Sequence, residues 1–240
     1  MQVELRRLTK RFSEKIVLDS INATAATGEV IAVVGPNGAG KSVLLELLAG
    51  LETPSAGTIV VDGCDIRGDL MAYRDRLGYL PQKPGFHEQL SPRAWLMYLA
   101  ELKAIPSHLQ KQRVGELLAQ LDIPGRQSIA RLSTGIKQRL ALATAFLNDP
   151  ELVLLDEPLS ALDTQMRLGA IEWLAARQAG RLTFLVSHIL AGLEDYITRL
   201  WLLVDGRLEA DVDVRELLRT TDGKMCLEDV YMALRNRPQK

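Results

Sequence analysis

A glycine-rich segment that ends in a lysine and a serine is the part of this chain best suited to chemistry. Residues 35–42 read GPNGAGKS and directly follow the apolar run 30–34. The spacing G-x-x-x-x-G-K-S predicts a tight loop whose backbone N–H groups converge on the β- and γ-phosphates of a nucleoside triphosphate, with added charge from Lys41. A helix over residues 42–49 would place the Ser42 hydroxyl where Mg²⁺ binds and direct its positive end at the phosphates.

The elements that must position this loop are visible as short apolar runs. Four β-branched, strand-like runs predict a mixed sheet near the N-terminus, at residues 3–8, 17–25, 30–34 and 58–61. Four later runs are too short for independent helices and alternate with helical stretches, as buried parallel strands do, at residues 77–81, 152–156, 182–186 and 200–204. An α/β core follows from this alternation.

A block without strand signals interrupts the core between Gln82 and Pro150. Its segments with helical periodicity are residues 92–104, 109–122 and 133–148. We therefore expect a single domain with a nucleotide-binding core at residues 1–82 and 150–220, a helical subdomain at 83–149 and a C-terminal extension at 221–240.

Composition and charge exclude several classes of protein. With 240 residues, 47% of them hydrophobic, the chain can bury one sizeable core. The net charge is −1 with both signs interleaved, so we expect no nucleic-acid partner. No apolar stretch reaches the roughly 18 residues of a membrane span, and residues 1–12 lack the apolar segment of a signal peptide, so a cytoplasmic location is expected. Cys64 and Cys226 lack metal-ligand spacing and are interpreted as isolated thiols.

Three motifs upstream of residue 140 resemble those of the nucleotide-binding subunit of ATP-binding cassette (ABC) transporters. Phe12, in KRFSEKIVL, matches the aromatic that stacks on adenine in that family, although a lone aromatic also fits an ordinary core phenylalanine. Gln82, in GYLPQ, matches a loop glutamine that reaches Mg²⁺ and the attacking water; alone it would be an exposed polar residue. The segment 132–136, LSTGI, resembles the LSGGQ loop.

Two further motifs, which bear the acids and a histidine, complete the resemblance across nearly the whole chain. The run LVLLDE ends in Asp156, which would accept from Mg²⁺-bound water and Ser42, and in Glu157, which would act as the general base. An acid pair after a strand could instead cap a helix. The motif continues as the family's dimer-contacting loop to Asp163, and His188, in LVSHIL, matches the histidine that contacts γ-phosphate and orients Glu157.

The resemblance implies a P-loop NTPase (RecA-like) α/β core with an N-terminal antiparallel β subdomain and an inserted helical subdomain. It implies an ATPase with ATP and Mg²⁺, in which two subunits pack head to tail and ATP lies between them. The catalytic residues would be Glu157, His188 and Gln82, and the Mg²⁺ ligands Ser42, Gln82 and Asp156. The nucleotide would contact Phe12, Gly35, Pro36, Asn37, Gly38, Ala39, Gly40, Lys41, Ser42 and Val43, together with Ser133, Gly135 and Asp163.

Two residues depart from the family pattern. Thr134 replaces the first glycine of LSGGQ and would crowd the backbone if that position requires a positive φ or a close approach to phosphate. Ile136 replaces the glutamine and cannot hydrogen-bond a nucleotide; an apolar residue there is typical of the export-type branch. The segments AFLNDPE and LEDVY also resemble exporters whose membrane subunit is a separate chain.

The function predicted from these residues is an ATPase that drives transport, with export favoured, through an integral membrane partner. The subunit would pair with a second copy or a related subunit and lie on the cytoplasmic face of the membrane. The alternatives are a soluble ABC ATPase outside transport, a P-loop kinase, which has no use for an LSGGQ-like loop, and a degenerate ABC subunit with weak hydrolysis. The transported substrate is not encoded in this chain, because the transport path belongs to the partner.

Overall fold

The computed structural model describes residues 1–214, 216 and 227–235 and contains two sheets. The strands are β1 (Gln2–Phe12), β2 (Lys15–Ala26), β3 (Val30–Val34), β4 (Ala56–Val61), β5 (Cys64–Asp65), β6 (Leu77–Leu80), β7 (Leu152–Asp156), β8 (Leu182–Val186), β9 (Arg199–Val204) and β10 (Arg207–Asp213). The helices are α1 (Lys41–Leu48), α2 (Leu70–Asp75), α3 (Pro92–Leu102), α4 (Ser107–Gln120), α5 (Thr134–Ala145), α6 (Thr164–Ala175) and α7 (Leu227–Arg235), with a 3₁₀ turn at Ile129–Arg131.

The first sheet is antiparallel and has the strand order β2-β1-β4-β5. Val3, Leu5 and Leu8 of β1 are buried, as expected for a strand with one face on the core, and the alternation shifts once between Leu5 and Leu8, where the pairing with β2 is irregular. This sheet is the antiparallel β subdomain that the family resemblance implies. The run 30–34, predicted to belong to the same sheet, is instead β3 in the middle of the second sheet, where it pairs in parallel with β8 and β9. The strand β5 was not predicted, since a strand of two residues carries no periodicity.

The second sheet has the order β10-β9-β3-β8-β7-β6 and is parallel except at β10. Every residue of β3, β7 and β8 is buried, which explains why these strands read as continuous apolar runs. Asp156, the last residue of β7, pairs with Val186, the last residue of β8, and Val33 near the end of β3 pairs with Val186 on its other side. The carboxyl ends of these strands therefore meet at one edge, where doubly wound sheets bind ligands.

The helices α3, α4 and α5 lie between β6 and β7 in the chain, and the predicted limits 83–149 of a helical subdomain enclose them. Of the predicted C-terminal extension, the structure describes α7; Cys226 and the rest of 221–240 lie outside the described residues. None of the helices in the described ranges combines the length and the apolar character needed to cross a membrane.

Candidate functional site

The glycine-rich loop joins the end of β3 to the start of α1. Gly35 has φ 153°, and a Cβ there would lie 2.0 Å from the carbonyl oxygen of Leu203, so no side chain fits at this turn. Gly38 has φ 82°, and a Cβ built on it would meet no atom within 4 Å. The loop is therefore closely packed where it leaves the strand and open at its middle, where its N–H groups can approach a ligand. The helix begins at Lys41, one residue earlier than predicted.

Lys41 is buried at the start of α1. Its Nζ donates to the carbonyl oxygens of Gly35 at 2.8 Å and Pro36 at 3.0 Å. Burial lowers the pKa of Lys41, and the carboxyl groups of Glu157 and Asp156 oppose that shift. The ammonium group is thus held beneath the loop between the loop backbone and two acids. An ammonium has three N–H donors, so two are used here and the third is available to an anion above the loop.

Asp156 ends β7 and is 2% exposed. Burial raises the pKa of its carboxyl group, and contact with the Ser42 hydroxyl and the Lys41 ammonium opposes the rise. Its Oδ1 has no hydrogen-bond partner among the described residues. Because an unpaired buried oxygen of this kind is costly, the position is suited to a cation.

Glu157 follows directly and has φ 53°, which is uncommon for a residue other than glycine. Its N–H donates to the carbonyl oxygen of Val186 at 2.9 Å, and its carboxyl group lies near His188: the His188 backbone N–H donates to Oε2 at 3.4 Å, and Nε2 lies 3.4 Å from Oε1. Burial raises the pKa of Glu157, and His188 opposes the shift. The strained backbone and the histidine together hold the carboxyl group at the edge of the sheet.

These side chains line one cleft of about 400 Å³. The cleft is lined by Phe12, Lys15, Val17, Asn37, Gly38, Gly40, Lys41, Ser42, Val43, Gln82, Asp156, Glu157, Val186 and His188. Phe12 is 43% exposed, which rules out the alternative of an ordinary core phenylalanine. The helix-cap alternative for the acid pair fails too, because Asp163 caps α6.

Sequence reasoning missed Lys15, Val17 and Val186. Lys15 pairs with Phe12 across the turn between β1 and β2 and so reaches the same end of the cleft. A tight hairpin after Phe12 is the signal that could have identified it. Val186 is brought to the site by its pairing with Asp156, which spacing alone does not indicate.

Six predicted nucleotide contacts do not line this cleft: Gly35, Pro36 and Ala39, which belong to the glycine-rich loop itself, and Ser133, Gly135 and Asp163, which lie beyond it in the chain. Ser133 is exposed and caps α5 by accepting from the N–H of Ile136 at 3.3 Å. Asp163 is exposed and caps α6 by accepting from the N–H of Met166 at 2.8 Å. Gly135 is buried, and a Cβ there would lie 2.9 Å from Met166 Sδ, so this glycine permits α5 to pack beside α6.

The two departures from the family pattern have ordinary structural surroundings. Thr134 is the first residue of α5 and is not among the residues with positive φ, so the position does not require glycine for its backbone conformation. Ile136 is half-buried and packs against the hydrophobic core. The first condition under which Thr134 would crowd the backbone, a positive φ, is therefore not met in this structure.

The residues present fit Mg²⁺ bound together with a nucleotide. No cluster of three or more His, Cys, Asp or Glu side chains that could hold a metal occurs in the part of the chain that the structure describes. Mg²⁺ commonly uses one or two protein oxygens together with phosphate oxygens and water. The unpaired Oδ1 of Asp156 beside Ser42 provides such a partial site.

The fold and the cleft define a class, that of P-loop ATPases with a helical insertion between β6 and β7. The family model for ABC transporters matches residues 18–160. The chain belongs to the ABC transporter family, as an ATP-binding subunit and an ABC ATPase, which confirms the predicted fold class and protein class and excludes a P-loop kinase. The matched range includes the glycine-rich loop and the acid pair but not Phe12 or His188.

Curated relatives and a solved structure agree with this assignment. The Nod factor export ATP-binding protein I of Burkholderia pseudomallei is 32% identical over 224 residues, 92% of this chain and 74% of that protein. The Fe(3+) ions import ATP-binding protein FbpC of Escherichia coli is 38% identical over 167 residues, 69% of this chain and 48% of that protein. A solved ATP-binding subunit of an ABC transporter superposes with a TM-score of 0.88 at 27% identity, over 98% of this chain and 100% of that one.

Proposed function

We propose that two copies of this chain, or this chain and a related subunit, close around ATP and Mg²⁺ and hydrolyse ATP at shared sites to drive a membrane partner. The observation that carries this proposal is an incomplete site. Lys41, Asp156 and Glu157 share one cleft, whereas Ser133, at the start of α5, is exposed elsewhere on the surface. An N-cap serine with the free N–H groups of a helix N-terminus is well suited to an anion, so we place the second copy's Ser133 at the γ-phosphate.

The chemistry at each site follows from the positions of its side chains. Lys41 and the N–H groups of residues 35–42 hold the phosphates, and Phe12 offers a partly exposed ring for adenine. The Glu157 carboxylate accepts a proton as a water oxygen bonds to the γ-phosphorus and the bond to the bridging oxygen of ADP breaks. His188 orients that carboxylate, and Gln82, exposed at the cleft, would contact the same water.

Ser42, Asp156 and Gln82 are the residues that would hold Mg²⁺. The ion would neutralise charge on the β- and γ-phosphates, which is its usual contribution to phosphoryl transfer. The N-terminus of α1, at Lys41, adds positive potential at the same phosphates.

A membrane partner and its direction of transport are inferred from family and relatives. We place the chain on the cytoplasmic side of a membrane, where hydrolysis would open the pair of subunits and move the partner. Export is favoured by Ile136 and by the Nod factor export relative, which the chain covers more fully than the iron import relative. Because Thr134 adopts an ordinary conformation, the structure provides no backbone reason for a degenerate, weakly hydrolysing subunit.

The decisive experiment separates binding from hydrolysis. Glu157→Gln preserves shape but removes the base, so it should bind ATP and Mg²⁺, lose about 10²-fold or more of hydrolysis, and form an ATP-dependent dimer on gel filtration that ADP does not support. Adding Ser133→Arg should abolish the dimer by placing bulk and charge at the shared site, without reducing ATP binding by the monomer.

Three results would contradict the proposal. Normal hydrolysis by Glu157→Gln would remove Glu157 as the base. A monomer at saturating ATP and Mg²⁺ would remove the shared site, and hydrolysis by the wild-type chain no faster than by Glu157→Gln would instead support a degenerate subunit.

A further inference from the structure

One buried amide joins the helix that carries Ser133 to the backbone of Glu157. Gln138 lies on α5 and is 7% exposed. Its Nε2 donates to the carbonyl oxygen of Glu157 at 3.2 Å and to that of Pro158 at 3.0 Å. A side-chain amide has two N–H donors, so both are used on two consecutive carbonyls.

The segment that receives these hydrogen bonds is the one whose conformation is strained. Glu157 has φ 53°, and its carbonyl oxygen also accepts from the Ser160 backbone N–H at 3.4 Å and from Oγ at 3.0 Å. A residue other than glycine keeps a left-handed backbone conformation only where its surroundings hold it there. Among the groups that hydrogen-bond to the backbone of Glu157, Gln138 lies in the helical insertion. Val186 and Ser160 lie on the core side of the site.

The same helix begins at the group that would contact the second nucleotide. Ser133 caps α5, and Gln138 lies five residues further on, about 7.5 Å along the helix axis. Next to the cap, Gly135 lets α5 approach Met166 and the carbonyl of Ala161 closely. A helix packed in this way moves as a body, so a displacement of its N-terminus also displaces the Gln138 amide.

We infer that Gln138 is a positioning residue that links engagement of Ser133 with a second copy's nucleotide to the placement of Glu157 in its own cleft. The inference rests on the proposed shared site. Through this link, closure of the dimer at one nucleotide would align the general base at the other. Gln138 touches no reacting atom, and it acts only through the backbone of residues 157 and 158.

Gln138→Met tests the link because it keeps the length of the side chain and removes both donors. We expect kcat for ATP hydrolysis to fall by about tenfold or more, because Glu157 is no longer held in line, and KM to change by less than about threefold, because the nucleotide cleft is intact. In the Glu157→Gln background, Gln138→Met should still form the ATP-dependent dimer, since Ser133 is unchanged. If Gln138 acted only in folding, the substitution would reduce kcat and dimerisation together.

Two control variants remove comparable hydrogen bonds. Thr144→Val, also on α5, removes a bond from Oγ1 to the carbonyl of Leu140 that stays within the helix, and kcat should remain within about twofold of wild type. Ser160→Ala removes the exposed hydroxyl that donates to the Glu157 carbonyl but keeps the connection to α5. It should reduce kcat by less than Gln138→Met does.

A second measurement needs no substitution at Gln138. Amide hydrogen exchange is compared between ATP-bound Glu157→Gln, a dimer, and ATP-bound Glu157→Gln with Ser133→Arg, a monomer. The link predicts that protection rises together at residues 134–140 and 156–158 in the dimer.

The outcomes distinguish the link from the proposed function. Wild-type kcat in folded Gln138→Met, loss of dimerisation in parallel with kcat, or protection of 134–140 without 156–158 would overturn the link alone. A wild-type chain that does not hydrolyse ATP and a Glu157→Gln variant that does not dimerise would overturn the proposed function, and the link with it.

Discussion

Lys41→Met provides the sharpest test of the nucleotide site, because the structure limits what this ammonium can contribute. Its Nζ already donates to the carbonyl oxygens of Gly35 and Pro36. With three donors in total, one charge-assisted hydrogen bond remains for a phosphate oxygen. Such a bond is worth about 1.5–3 kcal/mol, which corresponds to a loss of about 10- to 150-fold in ATP affinity.

The effects of Lys41→Met on the free energy of unfolding should be small and of mixed sign. The substitution removes the two hydrogen bonds to the loop, but it also removes a buried charge whose pKa burial lowers. The methionine side chain is of similar length and fills the same space. We therefore expect the variant to fold with a cooperative thermal transition.

The assay is calorimetric titration with Mg²⁺-ATP and Mg²⁺-ADP. If the free N–H reaches the γ-phosphate, the loss for ATP should exceed the loss for ADP. The matched control is Lys15→Met, which removes an exposed lysine that lines the other end of the same cleft and should cost less than about threefold. Unchanged ATP affinity in folded Lys41→Met, or an equal loss in Lys15→Met, would refute the placement of the phosphates at the glycine-rich loop.

Three further predictions concern the adenine end, the family departures and a group of ion pairs near the surface. Phe12→Ala should weaken ATP binding by about 1 kcal/mol without changing affinity for inorganic triphosphate, which lacks a base to stack; equal losses in titrations of both would indicate structural damage instead. Thr134→Gly should leave kcat within about twofold, because Thr134 is already helical, and a large rise would show that the side chain obstructs closure. Arg76→Met should cost about 0.5–1 kcal/mol in denaturant unfolding at pH 7, since Arg76 binds Asp62 and Glu151 near the surface. The Arg76 guanidinium lowers the pKa of Glu151, so this contribution is present above the unfolded pKa of about 4.3 and is lost as the pH falls through the folded value; an effect that persists at pH 2.5 would contradict it.

The parts of the site that lie within a few residues of one another were determined by the sequence. The loop at 35–42 must turn where its glycines permit, and the apolar runs before it and before Asp156 can only be buried strands. Local geometry follows from local residues, so the loop, the acid pair and the alternation of core strands with helices could be predicted, whereas β10, α2 and α6 were not. Element ends differed by a residue or a few, because helix caps such as Gly40 and Ser133 depend on backbone geometry.

Contacts between distant segments were decided only by the tertiary structure. Gln138 reads in the sequence as one polar residue on a helix, and its two bonds to residues 157 and 158 arise because α5 packs against the end of β7. The left-handed backbone of Glu157 could likewise not be predicted, because a residue other than glycine rarely adopts it. A side chain's partner 19 residues away depends on how elements are placed in space, and the periodicity of a sequence records only which face is buried, not what that face meets.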